Sequence, residues 1–324
     1  MRYAGGGCNG RRTGSDLSYA HAQYAQSLQE IGSPRFLPAC GGWVLERPIS
    51  GGDGLRDAVG CYPLFACRDW SGLDEDLAGL RRDGLVSLVL VADPLTSPQT
   101  RGFDGVCRPW KSHHLVDLGT GSGEFGTAHH RRNARRFLRH ARTEICDDPV
   151  AHLDAWCALY GELIRRHGVT GAARFSRAAF ALQLGLPGAV LARAVGPQGD
   201  VLGMQLWFTG GSRAWHHLSG YAPDGYRWGG ASYALMQTVL RFLRATGVAT
   251  ADLGAAAGLT DDPADGLNRF KAGWATRTAD AWLLGAILDP GAYAALAPEP
   301  SDYFPAYRDP QLEREPEVAH VGVD

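Results

Sequence analysis

The sequence predicts an α/β (α+β) fold made of two tandem units, each a mixed, mostly antiparallel sheet flanked by helices. Three observations lead there. Short β-prone runs separated by turn compositions occur in both halves, helical periodicities stop at glycine, and each half closes with an apolar strand running into aspartate: Asp93 in the first, Asp252 in the second.

In the first half, residues 43–47 and 59–66 flank a GGDG turn and read as a hairpin, residues 73–82 are helical, and Gly84 opens the strand 85–92 before Asp93. Residues 126–142 are crowded with arginine and are expected to form the helix that joins the halves. The second half opens with a helix over 149–167, whose apolar residues recur at helical spacing and which Gly168 follows as a C-cap. A short helix behind Ser176 precedes three runs, 189–195, 201–208 and 213–219. The turn compositions GPQGD and TGGS between them predict an antiparallel meander. After the Gly-rich stretch 223–230, a helix runs up to Gly247, a strand covers 248–253, and a short helix over 267–274 leads to a last strand, 281–288. The repeated order of hairpin, Gly-capped helix and strand into Asp reads as an internal duplication.

The chain has 324 residues, with 32 basic against 34 acidic ones, so any affinity for phosphate or nucleic acid must come from a local patch. Seven cysteines form no CxxC pair and fit neither a disulfide framework nor a zinc ribbon, which predicts reduced thiols, no metal and a cytoplasmic location. No stretch looks like a signal peptide or reaches the ~20 apolar residues of a membrane span. Only two lysines occur, Lys111 and Lys271.

Three segments carry a family resemblance. VLVADP ends at Pro94, HRRNARRFLRHARTEI spans 130–145, and DLG followed by GLNRFKAGW spans 252–274. In this order they resemble the FemAB-like branch of the GNAT acyltransferases, related to the BioF2-like and CelD-like enzymes, over roughly residues 20–290. The resemblance implies a degenerate GNAT-like unit at 17–125, an Arg-rich linking helix at 126–145, a GNAT unit at 146–290 and a C-terminal tail at 291–324. It also implies transfer of an acyl group onto an amine with no tightly bound cofactor.

Candidate site residues follow from the motifs. GNAT enzymes that use acyl-CoA carry an Arg/Gln-x-x-Gly-x-Gly/Ala loop, and here GYRWGGASYAL keeps Arg227 and Gly230, with Gly229 next to them as a further donor-site candidate, while Ser232 breaks the pattern. This stretch is either a donor phosphate site or a tight turn before a core helix. Arg131, Arg132 and Arg135 present basic stripes suited to the phosphates of a tRNA or a carrier arm, or else pair with carboxylates on a solvated helix face. Lys271, beside Phe270, is expected to stabilise an oxyanion, with a plain surface lysine as the other reading. Asp252 orients the acceptor amine or takes its proton, or caps the next turn. Of His216 and His217 strand alternation sends one inward, so His217 is a candidate base or a packing residue. Asp93, Trp215 and Tyr221 are assigned to the acceptor.

The expected donor is aminoacyl-tRNA and the expected acceptor a small-molecule amine. DNA and membrane are excluded as partners. Two other readings stay open: a thioester donor, as acyl-CoA or on a carrier protein, and a non-catalytic binding protein.

Overall fold

The structure, a computed structural model, describes residues 18–98, 100–119, 123–227, 229–256, 265–299 and 301–310. A 3-10 turn at Ser18–Ala20 leads into α1 (Ala22–Gln26), β1 (Ser33–Leu37), β2 (Gly42–Pro48), β3 (Arg56–Gly60), α2 (Leu73–Arg82), β4 (Leu85–Ala92) and β5 (Val106–Asp117). Then follow α3 (Ala128–Phe137), β6 (Arg142–Ile145), α4 (Leu153–His167), α5 (Arg177–Leu184), β7 (Ala189–Val195), β8 (Val201–Gly210) and β9 (Arg213–Tyr221). The chain continues through α6 (Pro223–Arg227), α7 (Ala231–Ala245), β10 (Thr250–Asp252), α8 (Gly266–Ala272), β11 (Arg277–Ile287) and α9 (Pro290–Leu296).

The two units show the repeated order the sequence suggests. In the first, β2 and β3 are antiparallel, α2 follows, and β4 returns parallel to β3. In the second, β8 and β9 are antiparallel, α7 follows, and β10 returns parallel to β9. Gly84 and Gly247 follow the two helices with φ of 74° and 86°, a conformation that a Cβ disfavours.

The units do not keep separate sheets. Among the described residues, the strands join one sheet in the order β1-β2-β3-β4-β11-β5-β10-β9-β8-β7-β6. The last strand of each unit crosses into the other: β11 pairs with β4, and β5 pairs with β10. This exchange brings β5, which begins at Val106, beside the end of β10.

Three apolar clusters hold the sheet. One packs Leu73, Leu77 and Leu80 of α2 on the first unit, and one packs α7 and α3 on the second. The third joins Tyr19, Tyr24, Trp156, Phe180 and Trp215, so α1, α4 and α5 cover the opposite face of the sheet.

Two of the departures from expectation bear on the sheet, beside the shorter second hairpin strand, Arg56–Gly60 instead of 59–66. The Arg-rich helix stops at Phe137, because Thr127 caps its start and the chain turns at Leu138; Arg142 then opens an edge strand, whose Glu144 binds Arg193 of β7. The strand β5 has no counterpart in the sequence reading. Its charged and proline-containing run, Arg108 to Lys111, masks the alternation, and a bulge opposite Ala281 and Trp282 absorbs the misfit. Among the described residues no helix is long and apolar enough to cross a membrane.

Candidate active site

The site begins where two parallel strands part. β9 and β10 pair at Arg213–Thr250, Ala214–Ala251 and Trp215–Asp252; β10 then ends while β9 runs on to Tyr221. The register of β9 against β8 also shifts here, Leu206 facing Leu218 and Trp207 facing His216, so His217 is an extra residue. A bulge of this kind bends the strand away from its neighbour. The backbone of β9 beyond Trp215 therefore faces an opening rather than β10.

At the base of that opening lies Asp252, only 2% exposed. Its Oδ1 accepts from the Gly254 N–H at 2.7 Å, and its Oδ2 lies 2.8 Å from His113 Nδ1. Leu115 faces Asp252 across the β5–β10 pair, and two residues along a strand returns a side chain to the same side, which is why His113 reaches it. An ionised Asp252 can only accept, so His113 Nδ1 carries the proton and Nε2 keeps its lone pair.

Both lysines of the chain converge on the loop after β10. Lys271 Nζ donates to the Ala255 carbonyl at 2.6 Å and Lys111 Nζ to the Ala256 carbonyl at 3.1 Å. Burial lowers the Lys271 pKa to about 8; the charge of Lys111 adds to the effect, and Asp252 and Asp265 oppose it. Gly254 is needed at φ 79°, where a Cβ would lie 3.1 Å from Lys271 Nζ. Burial likewise pushes His216 down to about 3, with Lys271 reinforcing, while the Leu253 backbone and the charge of Asp252 pull the other way. The His216 side chain thus spans from β9 to the strand end that has parted from it.

His217 does not serve as the expected base. Burial, with His216 adding to it, holds its pKa down near about 3. Gln183 Nε2 donates to Ser27 Oγ, so Gln183 Oε1 faces His217 Nε2 at 3.3 Å and that nitrogen carries the proton; Nδ1 then accepts from Tyr19 O–H at 3.1 Å. Both ring nitrogens are spent on a buried network that ties α1 and α5 to β9.

Asp93 and Trp215, both assigned to the acceptor, do come together. Asp93 ends β4 and accepts the Leu95 N–H on Oδ1 at 2.9 Å. Burial raises its pKa to about 6; Asp252 raises it further, whereas the Leu95 N–H and the Trp215 indole favour the charged form. The Trp215 Nε1–H is the donor next to the carboxylate, and the charge of Arg213 also favours the ionised form. Tyr19 packs edge-on to Trp215 at 5.9 Å. Tyr221 belongs elsewhere: it packs in the α7 cluster on the other face, where its hydroxyl accepts from Gln205 Nε2 at 3.1 Å.

The Gly-rich start of α7 has a packing reason. Gly229 and Gly230 adopt φ of 56° and 101°, and a Cβ on Gly230 would meet the Asn133 carbonyl of α3 at 2.8 Å. Gly230 supplies no side-chain cap, so the first N–H groups of α7 are left for another acceptor. Arg136 Nη2 lies 3.1 Å from where a Gly229 Cβ would be. Arg132 and Arg135 are exposed, while Arg131 pairs with Glu124 at 3.0 Å and braces the Gly126 carbonyl. The Arg227 side chain lies outside the described residues. Phe270 turns away from Lys271 and packs on Tyr233 at 5.0 Å and His130 at 5.7 Å, joining α8 to α7 and α3.

Comparison with known proteins places this geometry. The family model described as acetyltransferase (GNAT) domain matches residues 128–272, from α3 through α8. No curated protein matches by sequence. Among solved structures, FemX superposes with a TM-score of 0.62 at 12% identity, covering 85% of this chain and 93% of its own. A DUF2156 domain, from an Agrobacterium fabrum protein named for lysylphosphatidylglycerol synthesis, gives 0.58 at 15%, covering 87% and 92%. L-PGS from Bacillus licheniformis gives 0.56 at 14%, covering 88% and 96%. Residues 128–272 thus resemble an acetyltransferase (GNAT) domain, and the chain shares its fold with FemX.

Proposed function

We propose that the protein is an N-acyltransferase that moves an aminoacyl group from aminoacyl-tRNA to the amine of a small molecule. One observation carries this reading: in a GNAT domain, the opening between β9 and β10 ends at an Asp252–His113 pair with a buried Lys271 beside it. An amine attacks a carbonyl only with its lone pair free, so a base must remove a proton. His113 Nε2, held in place by the Nδ1 hydrogen bond to Asp252, suits that task. As the C–N bond forms, charge develops on the carbonyl oxygen. The Lys271 ammonium and the unpaired backbone of β9 are the groups suited to meet it. The C–O bond to the ribose then breaks, the proton held by His113 goes to the leaving oxygen, and the second proton lost by the former ammonium passes to solvent, leaving the neutral amide.

The uncapped start of α7 with Arg136 beside Gly229 suits a donor phosphate, since N–H groups and a guanidinium together could meet one anion. The similarity to FemX and to proteins named for lysylphosphatidylglycerol synthesis favours an aminoacyl donor. A thioester donor is the second reading, favoured by the GNAT family match alone. Purified protein offered charged tRNA, acetyl-CoA and a panel of amines separates them by mass analysis of the amide. Ribonuclease treatment is expected to abolish the product; product that forms from acetyl-CoA and survives ribonuclease contradicts the donor assignment.

A further inference from the structure

The arginine-rich segment runs past the end of α3. Cations in the last turn of a helix offset its exposed carbonyls, which accounts for Arg135 and Arg136. Arg139 and Arg142 lie beyond Leu138, where the helix has ended. There they line an open pocket of about 220 Å³ together with His140, Leu138, Val195 and Pro197. The pocket forms because Arg142 opens β6 opposite Val195, so the turn after α3 faces the turn after β7. Arg139, His140 and Arg142 are exposed. Arg142 shares the carboxylate of Glu144 with Arg193, and Asp200 sits against Gly196 at the pocket's edge. With Arg136 and Arg139 included, the guanidiniums outnumber these two carboxylates.

We infer that this pocket holds an unpaired nucleotide of the donor RNA, so that the protein grips the RNA at the α3–β6 turn as well as at the start of α7. This rests on the aminoacyl-tRNA reading. The walls are of two kinds. Leu138, which is 38% exposed, Val195 and Pro197 are apolar, while Arg139 and Arg142 bring guanidiniums to the rim. A bare phosphate has no use for the apolar wall. An unpaired nucleotide uses both, its base and ribose on the wall and its phosphates on the guanidiniums. The volume is below the ~300–1,000 Å³ of sites that enclose a drug-sized ligand, which suits a single base. The position suits a second grip on one strand. The start of α7 packs on α3 at Asn133, and Leu138 follows about 7.5 Å further along that helix, with Arg136 between them beside Gly229. The 3′-phosphoadenosine end of coenzyme A has the same chemistry, so the two sources are tested side by side.

Fluorescence anisotropy of the full-length protein with a labelled, uncharged RNA hairpin bearing a single-stranded 3′ tail tests this without any acyl group. Arg139→Glu, which lies outside every helix and strand, is expected to weaken binding about tenfold or more and to lower the slope of log K against log salt by about one. Arg81→Glu, the same charge change on α2, is expected to bind as the wild type does. A blunt hairpin is expected to bind the wild type about tenfold more weakly than the tailed one. Equal affinity for the two hairpins overturns the inference, as does RNA binding indifferent to Arg139→Glu or weakened equally by Arg81→Glu. Coenzyme A is titrated in parallel and is expected to bind Arg139→Glu as it binds the wild type; Arg139-dependent binding of coenzyme A with none of RNA overturns the inference too. Arg139-dependent RNA binding together with amide that forms from acetyl-CoA and survives ribonuclease retains the pocket and sinks the donor assignment. Ribonuclease-sensitive amide formation with RNA binding indifferent to Arg139→Glu does the reverse.

Discussion

Asp93 and Asp252 hold the same position in the two halves of the molecule. Each ends a strand that lies parallel to the second strand of the preceding hairpin, and each carboxylate accepts the N–H two residues further on, at 2.9 and 2.7 Å. A short polar side chain closing its own turn is what makes Asp suit this position. Their partners differ: Asp252 gains His113 from the exchanged strand β5, whereas Asp93 meets the Trp215 indole and the more distant charge of Arg213.

That difference predicts a pH profile. Lys271 loses its charge as pH rises through about 8, which on the proposed mechanism removes the oxyanion stabilisation; Asp93 loses its charge as pH falls through about 6, which on that mechanism weakens acceptor binding. A plot of kcat/KM against pH is expected to fall on both sides, near those values. Lys271→Arg, whose charge does not titrate, is expected to lower the rate but move the alkaline limb up by more than one unit. An alkaline limb that does not move contradicts the role of Lys271.

Asp93 is also a stability cost. Because burial raises its folded-state pKa, the protonated carboxyl supports folding at low pH, and this support is lost as pH rises through about 6. Asp93→Asn is therefore expected to raise unfolding stability at pH 7.5, on the order of 2 kcal/mol. The gain should shrink toward zero by pH 4. Urea titrations at both pH values measure it, and a destabilised variant at pH 7.5 contradicts the burial argument.

Gly230 is a packing requirement. A Cβ there combines a φ of 101° with a 2.8 Å approach to the Asn133 carbonyl. Gly230→Ala is expected to cost roughly 2–4 kcal/mol of stability and to loosen α7 from α3. Gly79, whose would-be Cβ meets nothing nearer than the Arg82 guanidinium at 3.8 Å, is the control. Gly79→Ala is expected to be neutral or stabilising in the same melting experiment.

Much of this was readable from residue order alone. The hairpin-helix-strand repeat was legible because Gly84, Gly247, Asp93 and Asp252 punctuate it with residues whose backbone behaviour is local. The helix Leu73–Arg82 and the strands Leu85–Ala92 and Ala189–Val195 have the expected limits for the same reason. His113 and the clasp by Lys111 were not legible, since both depend on β5 lying beside β10, a pairing set by strand exchange over more than 130 residues of sequence separation. Tyr19 was missed likewise: nothing local tells a residue near the chain start that it will touch His217. The reading of His217 went astray because strand alternation states which way a side chain points but not what waits there.

The reaction centre is tested most directly by single-turnover amide formation with saturating donor and acceptor, comparing the wild type with Lys271→Ala and His113→Gln, each first shown to be folded by its melting curve. The account predicts that each variant slows the step by roughly 100-fold or more, with little change in donor affinity. Rates within twofold of the wild type for both variants contradict it, because acyl transfer would then not occur where β9 and β10 part.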